Sequence, residues 1–336
     1  MNTDKHFKVD FFRPEDAEGI TALFRGVYGD GYPIRLFYDP QAIKSANETG
    51  EYYSIVARNA AGMVIGVEHL FRSAPFKNLY EAGAGLVSKE YRNQGVNKLL
   101  MAFVYDTLVP GNGGIEGTFG ESVCNHIYMH KEVMARRHIE TSLEVALMPA
   151  EAYDAERSAT GRVAALGVFR CYKPKPHRIF LPKAYEEVLR FIYSGLDDQR
   201  EIIVSDAGLP DAGSSELKIQ IFDFARVARI AVHRAAADFE SRLDELESEA
   251  LGRNVVVFQI WLKLGQAWVG AVTDRLRDRG YFLGGALPRW FDDDGLLLQK
   301  LLCPPDFEGI KLLTDRSHQM LEIIKQDWSR AKSQIA

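Results

Sequence analysis

The chain has 336 residues, of which 46% are hydrophobic and 26% charged, and this composition is typical of a globular protein long enough for two domains. Its net charge of −5 gives no general attraction to nucleic acid or to an anionic membrane. Three widely spaced cysteines exclude a framework of paired disulfides. The chain has no apolar run long enough to span a bilayer, and its first ten residues are unlike a secretory signal. We therefore expect a cytoplasmic protein with no nucleic-acid or membrane partner.

The first elements predicted along the chain are a strand over residues 6–12 and a helix that starts at Pro14. The apolar face of this helix consists of Ile20, Leu23, Phe24 and Val27. A turn-rich segment follows, Y-G-D-G-Y-P at residues 28–33. Its Tyr28 and Tyr32 either line a substrate pocket or close the bottom of the core, and the sequence leaves both interpretations open.

The next elements lead to the stretch around which the chain is organised. Two strands, Tyr52–Asn59 and Met63–Ser73, flank a hairpin signal, and a third strand covers Glu81–Val87. A helix follows, and its buried face is predicted from apolar residues at three-to-four spacing, Val96, Leu99, Leu100, Phe103, Val104 and Leu108.

The turn between that strand and that helix reads R-N-Q-G-V-N, from Arg92 to Asn97. The first N–H groups of a helix have no partner within it and carry a partial positive charge, so this terminus is suited to a phosphate. Gly95 lets the backbone approach an anion closely, and Arg92 can add a forked contact. The alternative is a turn in which Gly95 serves only the change of chain direction.

The segment V-S-K-E-Y-R-N-Q-G-V-N-K-L-L, residues 87–100, resembles motif A of the GCN5-related N-acetyltransferase (GNAT) superfamily. The resemblance implies that acetyl-CoA is the cosubstrate, that no metal takes part, and that the turn amides hold the diphosphate while the strand backbone pairs with the pantetheine arm. The implied cofactor-binding residues are Leu86, Val87, Arg92, Asn93, Gln94, Gly95, Val96, Asn97 and Lys98. Asn97 departs from the family pattern, which has Gly or Ala there.

Amine acetylation needs a base for the amine and benefits from a proton donor for the thiolate. Glu81 stands eleven positions before Arg92, the separation found in histone-acetylating relatives, and it is the candidate base. The alternative is a glutamate that faces solvent at a strand end. Glu68, on the neighbouring strand, is a second candidate that could also contact substrate. Tyr128 is the nearest phenol for an acid, because Val133 falls where the family commonly has its tyrosine.

Other constellations are weaker. His126 and His130 are four residues apart, with Cys124 close by, but the H-E-x-x-H pattern is absent and no third ligand has a suitable spacing. No metal site is therefore predicted. Neither a P-loop nor a G-x-S-x-G elbow occurs.

The second half of the chain follows a break at Tyr172–His177, where two prolines interrupt regular structure. It is predicted to contain the helices Ala184–Ser194, His233–Leu251 and Gln266–Arg279 and the strands Leu217–Phe224, Asn254–Lys263 and Tyr281–Trp290. This order is similar to the closing part of a GNAT domain but lacks the glycine turn. The predicted domains are residues 1–165, with the acetyl-CoA site, and residues 175–336, a degenerate GNAT-like domain.

The predicted fold class is therefore α/β (α+β), with a mixed, mostly antiparallel GNAT-type sheet flanked by helices, in two tandem domains. The favoured function is an N-acetyltransferase acting on a small-molecule or peptide amine. Two alternatives stay open, a non-catalytic acyl-CoA-binding regulatory protein and a scaffolding protein. The helix His233–Leu251 could also pair with a second copy of the chain in a homodimer.

Overall fold

A computed structural model of the chain describes residues 7–149 and 161–335. They form two compact units, the first comprising the described residues up to Gly120 and the second those from Glu121 onward. The segment Tyr172–His177, expected to divide the domains, lies inside the second unit. The limits of the two predicted domains stay a prediction.

The first unit contains the predicted opening elements with small changes at their ends. Its strands are β1 (Phe7–Phe11), β2 (Tyr52–Asn59), β3 (Val64–Phe71), β4 (Leu79–Val87) and β5 (Gly117–Val123), which begins in this unit. Its helices are α1 (Asp16–Tyr28), α2 (Pro40–Glu48), α3 (Val96–Phe103) and α4 (Val109–Gly111). A π-helical turn, Val104–Leu108, connects α3 to α4, and short 3-10 helices cover Arg35–Tyr38 and Lys89–Tyr91. His6, the first residue of the predicted opening strand, lies outside the described residues.

The strands of this unit are ordered β1-β2-β3-β4-β5. All neighbours are antiparallel except β4 and β5, which are parallel and are joined through α3. The β2–β3 hairpin turns at Gly62, whose amide donates to the carbonyl of Asn59 at 2.9 Å and whose φ is 81°. The predicted hairpin is confirmed.

The core of the first unit lies between α1, the α2 region and one face of the sheet. Phe24 of α1 stacks on Phe37, with ring centroids 4.2 Å apart, and both are buried. Burial of each such ring stabilises the fold by about 1.5–3 kcal/mol. Helix α2 was not predicted, although Asp39 caps it through its Oδ1 and Pro40 occupies its first turn, an N-terminal signal that the sequence contains.

The second unit is also mixed. Its strands are β6 (Ile139–Met148), β7 (Val163–Cys171), β8 (His177–Pro182), β9 (Arg200–Ser205), β10 (Glu216–Phe222), β11 (Val227–Arg234), β12 (Val257–Lys263), β13 (Phe282–Leu287) and β14 (Gly295–Leu301). Its helices are α5 (Tyr128–Ala135), α6 (Glu186–Tyr193), α7 (Phe239–Gly252), α8 (Val269–Asp278) and α9 (Asp315–Ile335), with a 3-10 helix at Lys183–Tyr185.

Seven strands of the second unit follow the order β7-β6-β13-β14-β12-β11-β10, and β8 pairs separately with β9. The helix predicted from His233 begins only at Phe239, because β11 continues to Arg234 and pairs on both sides, with β10 and with β12. His177, the end of the predicted break, starts β8. In this unit too, parallel strands are joined through helices, β11 to β12 through α7 and β8 to β9 through α6.

The predicted fold class is confirmed as a mixed α/β protein with mostly antiparallel sheet pairing and flanking helices. The tandem GNAT repeat stays a prediction. Within the described part of the chain, none of the helices has both the length and the apolar character that crossing a bilayer would require.

Candidate active site

The turn between β4 and α3 is open to solvent. Arg92, Asn93, Gln94 and Gly95 are all exposed. Gly95 precedes α3 with a φ of 83°, and a Cβ built on it would meet no heavy atom within 4 Å. Such a left-handed φ favours glycine. The structure therefore leaves free space around the residue at which the resemblance implies an anion.

Backbone donors begin α3 at this turn. The amide of Leu99 donates to the carbonyl of Gly95 at 3.2 Å, so the amides of Val96 and Asn97 precede the first helical hydrogen bond. The eight-residue helix adds its partial positive charge at this end. These two features make the turn suited to an anion.

Two exposed side chains donate hydrogen bonds to the backbone just before the turn. Nε of Arg92 donates to the carbonyl of Val87 at 3.3 Å, and Nε2 of Gln94 donates to the carbonyl of Glu90 at 2.7 Å. The bond from Arg92 uses one of the five N–H groups of its guanidinium. Asn97, the residue that departs from the family pattern, is half-buried.

Strand β4 is irregular just before the turn. Val67 pairs with Leu86 but His69 pairs with Gly83, so β4 holds one residue more than β3 between these pairs, which is a β-bulge. Ala84 in the bulge has a φ of 54°, and non-glycine residues rarely adopt it. On its other side, the described ladder between β4 and β5 ends at the pair Glu81–Phe119. The β4 backbone beyond Glu81, including Leu86 and Val87, is therefore not part of that ladder.

The carboxyl of Glu68 lies against this bulge. A Cβ built on Gly85 would be 1.9 Å from Oε2 of Glu68, so only glycine fits there without moving the carboxyl. Glu68 is buried, and its carboxyl accepts a hydrogen bond from the backbone N–H of His69. Burial raises the pKa of Glu68 to about 8, because a charged carboxylate loses its hydration there.

Glu81 lies in a different environment on β4. It is half-exposed, and its Oε2 accepts a hydrogen bond from the Ser73 hydroxyl at 2.6 Å. Burial and the nearby Glu81 carboxylate raise the pKa of Tyr52 to about 12. The bulge is thus flanked by one buried and one half-exposed carboxyl group.

The two tyrosines of the predicted pocket are partly buried. The rings of Tyr28 and Tyr32 lie 4.9 Å apart and pack against the core that contains Phe24. Burial, the Tyr28 phenol and the carboxylates of Glu81 and Glu68 raise the pKa of Tyr32. The structure therefore brings Tyr32 close enough to Glu68 and Glu81 for electrostatic interaction, while part of each tyrosine closes the core.

A series of hydrogen bonds that the sequence did not predict runs from Asn47 through Ser54 to His69. Asn47 accepts from the Ser54 amide at 2.9 Å and donates from Nδ2 to the Ser54 hydroxyl at 3.0 Å, and that hydroxyl lies 2.8 Å from Nδ1 of His69. Burial lowers the pKa of His69 to about 3, so its ring is neutral. These contacts depend on the strand register, which residue spacing does not reveal.

The remaining candidates belong to the second unit. Tyr128 begins α5, is 72% exposed, and contacts the ring of His126 at 5.1 Å. Its assignment as general acid stays a prediction. Sγ of Cys124 lies 4.0 Å from Nε2 of His130, and burial raises the pKa of Cys124 to about 12. No three His, Cys, Asp or Glu side chains in the described ranges form a group that could hold a metal ion.

Comparisons with known proteins give structural similarity only. No family model and no curated protein matches the chain. The ribosomal-protein-S5-alanine acetyltransferase from Vibrio fischeri is 12% identical, with 50% of this chain and 93% of that chain covered at a TM-score of 0.40. An N-acetyltransferase from Staphylococcus aureus Mu50 is 10% identical, with 50% of this chain and 99% of that chain covered at a TM-score of 0.41. The spermidine/spermine N-acetyltransferase from Vibrio cholerae is 12% identical, with 49% of this chain and 92% of that chain covered at a TM-score of 0.37.

About half of the chain is thus similar to solved structures of acetyltransferases, including one described as a member of the GNAT family from Staphylococcus aureus Mu50. At these identities the similarity concerns the fold alone.

Proposed function

We propose that this chain is an N-acetyltransferase that moves the acetyl group of acetyl-CoA to a primary amine. One observation carries the proposal. An open, amide-lined turn at the start of α3 directly follows a bulged strand whose backbone leaves its parallel neighbour at Glu81. The turn is suited to a diphosphate, and the freed strand backbone offers hydrogen-bonding groups to an extended arm.

The residues of this region fit acetyl-CoA. The space around Gly95 and the exposure of Arg92, Asn93 and Gln94 allow a diphosphate to reach the amides that begin α3. The backbone of Leu86 and Val87 would pair with the pantetheine arm, while Val96, Asn97 and Lys98 complete the turn. When bound, the cosubstrate supplies an acetyl group activated as a thioester.

Glu81 is the proposed base in this reaction. Its carboxylate accepts a hydrogen bond from the Ser73 hydroxyl, and its partial exposure would allow an amine to approach it. It would take a proton from the ammonium form of the acceptor, so that the neutral nitrogen can attack the thioester carbonyl. Tyr28, Tyr32 and Glu68 would form the acceptor side of the site, and Tyr128 is the candidate acid from the sequence.

The acceptor class proposed is a primary amine on a small molecule or a peptide. The structurally similar proteins are described as acting on an alanine of a ribosomal protein and on spermidine or spermine. The half-exposed Glu81 carboxyl group and the rings of Tyr28 and Tyr32 suit a cationic nitrogen. These observations define a panel of alanyl peptides, polyamines and small monoamines.

Release of CoA thiol from acetyl-CoA, followed over this amine panel, tests the proposal. We expect amine-dependent thiol release and an acetylated amine of matching mass. Thermal stabilisation by CoA without thiol release for any amine would instead favour the non-catalytic acyl-CoA-binding protein. If CoA neither stabilises the chain nor is released from acetyl-CoA, both functions are contradicted and a scaffolding role is left.

A further inference from the structure

We infer that Glu68 is the general acid of the reaction and gives its proton to the departing thiolate. The inference rests on the proposed acetyl transfer at this site. It assigns to a residue of β3 the role for which the sequence offered only Tyr128. Three observations support it: the position of the Glu68 carboxyl at the bulge, the absence of a cationic partner for it within residues 7–149 and 161–335, and its contrast with Glu81.

The first observation is where the carboxyl lies. Glu68 pairs with Ile55 of β2, and its carboxyl lies under Gly85, the glycine that precedes Leu86. Leu86 and Val87 belong to the stretch of β4 that is proposed to pair with the pantetheine arm. A thioester at the end of that arm would come to the bulge, because the bulge lies between Leu86 and the pair Glu81–Phe119, where the described ladder with β5 ends.

The second observation is the charge environment. Among the residues whose positions are described, no Lys, Arg or His side chain forms an ion pair with Glu68, which is 2% exposed. The ionisable side chain that interacts with it is Tyr32, and its one hydrogen bond comes from the backbone N–H of His69. A buried carboxyl without a cation is more stable in its protonated form, and the pKa of about 8 agrees with a proton that is present at neutral pH.

The third observation is the difference between two carboxyl groups on adjacent strands. Glu81 is half-exposed and accepts a hydrogen bond from the Ser73 hydroxyl, whereas Glu68 is buried and accepts one hydrogen bond from the backbone N–H of His69. Paired carboxyl groups whose environments separate their pKa values divide into an acid and a base. Tyr128, the other candidate acid, is by contrast 72% exposed.

The proton balance of the reaction is complete with these two groups. Glu81 takes one proton from the ammonium acceptor, the amine nitrogen forms a bond to the thioester carbon, and the carbon–sulfur bond then breaks. The O–H bond of Glu68 breaks as the thiolate takes its proton. The second proton on the new amide nitrogen restores Glu68, and the proton on Glu81 passes to water.

A change of leaving group tests this inference. The Glu68→Gln variant and the unmodified chain are assayed with acetyl-CoA and with p-nitrophenyl acetate, using the amine that the panel identifies. A general acid contributes about 10²-fold or more when the leaving group is basic, so we expect a loss of that size with acetyl-CoA. The loss with p-nitrophenyl acetate should be less than about threefold, because p-nitrophenolate departs without a proton.

The pH profile gives a second readout. The unmodified chain should lose kcat with acetyl-CoA as pH rises through about 8, and Glu68→Gln should lack this decline. Equal losses with both donors, or a decline that persists in the variant, would overturn the inference while leaving acetyl transfer intact. An unmodified chain inactive with every amine would instead remove the proposed function. If Glu68→Gln does not fold, Gly85→Ala, which displaces the carboxyl, should show the same donor-selective loss.

Discussion

Replacing Glu81 with glutamine is expected to lower kcat by about 10²-fold or more, the usual contribution of a positioned general base. Glutamine keeps the shape of the side chain and can still contact the Ser73 hydroxyl, but it cannot take a proton from the acceptor ammonium. The KM for acetyl-CoA should stay unchanged, because the turn at Gly95 is not altered. The loss should be greatest below the pKa of the amine, where little free base is present. Steady-state thiol release between pH 6 and 9 measures this effect.

Glu51→Gln is the matched control for that experiment. Glu51 is a surface carboxylate that, like Glu81, raises the pKa of Tyr52, and it pairs with Arg72 at 3.2 Å. Its removal should leave kcat within about twofold, since surface ion pairs contribute little. If Glu81→Gln also kept its full turnover, Glu81 would not be the base.

The stability of the chain is expected to fall as pH rises from 4.5 to 8 because of Glu68. Its pKa is raised from the ordinary 4.5 to about 8 in the folded state, so the native chain binds one more proton than the unfolded chain in this window. The stabilisation by the protonated form is complete below the pKa that Glu68 has in the unfolded chain. It is lost as pH rises through the pKa that Glu68 has in the folded chain. The expected change in the free energy of unfolding is on the order of 4 kcal/mol.

Glu68→Gln isolates this contribution because glutamine resembles the protonated acid and does not titrate. Denaturant unfolding of both chains at pH 5 and pH 8 gives the comparison. The difference in stability between the variant and the unmodified chain should grow in favour of the variant at the higher pH. A difference that is the same at both values would mean that Glu68 ionises in the folded chain as it does in water.

Local sequence patterns predicted the elements whose burial is one-sided. The face of α1 with Ile20 and Phe24, the β2–β3 hairpin and the strand–turn–helix at Gly95 all appear in the structure. Helix α9 was missed although it buries Met320, Leu321, Ile324 and Ala331. Strand β11 was not predicted, and its last two residues, His233 and Arg234, were assigned to the following helix; its pairing with β10 and β12 makes it a strand.

In the candidate site, too, some features could be predicted from the sequence and others depend on strand pairing. The turn, Glu81 and Glu68 could be named from residue types and spacing. The bulge at Ala84 could not, because it arises from the pairing of β4 with β3. The contact of Glu68 with Gly85 and the series of hydrogen bonds from Asn47 to His69 likewise join residues that are distant in sequence, and only the strand register brings them together.

The central claim, that the turn at Gly95 holds the diphosphate of CoA, has a matched pair of variants. Gly95 and Gly62 share a positive φ, 83° and 81°, and neither has a heavy atom within 4 Å of a built Cβ. Asp tolerates this backbone conformation better than most residues. Gly95→Asp and Gly62→Asp should therefore cost similar stability, but only Gly95→Asp places a negative charge beside the proposed diphosphate.

Titration calorimetry with CoA measures this directly. We expect saturable heat for the unmodified chain and for Gly62→Asp, and a loss of affinity of at least about tenfold for Gly95→Asp, about 1.4 kcal/mol. Gly95→Asn, which adds similar bulk without charge, should retain more of the affinity. No heat from the unmodified chain, or equal affinities for all three variants, would contradict the claim.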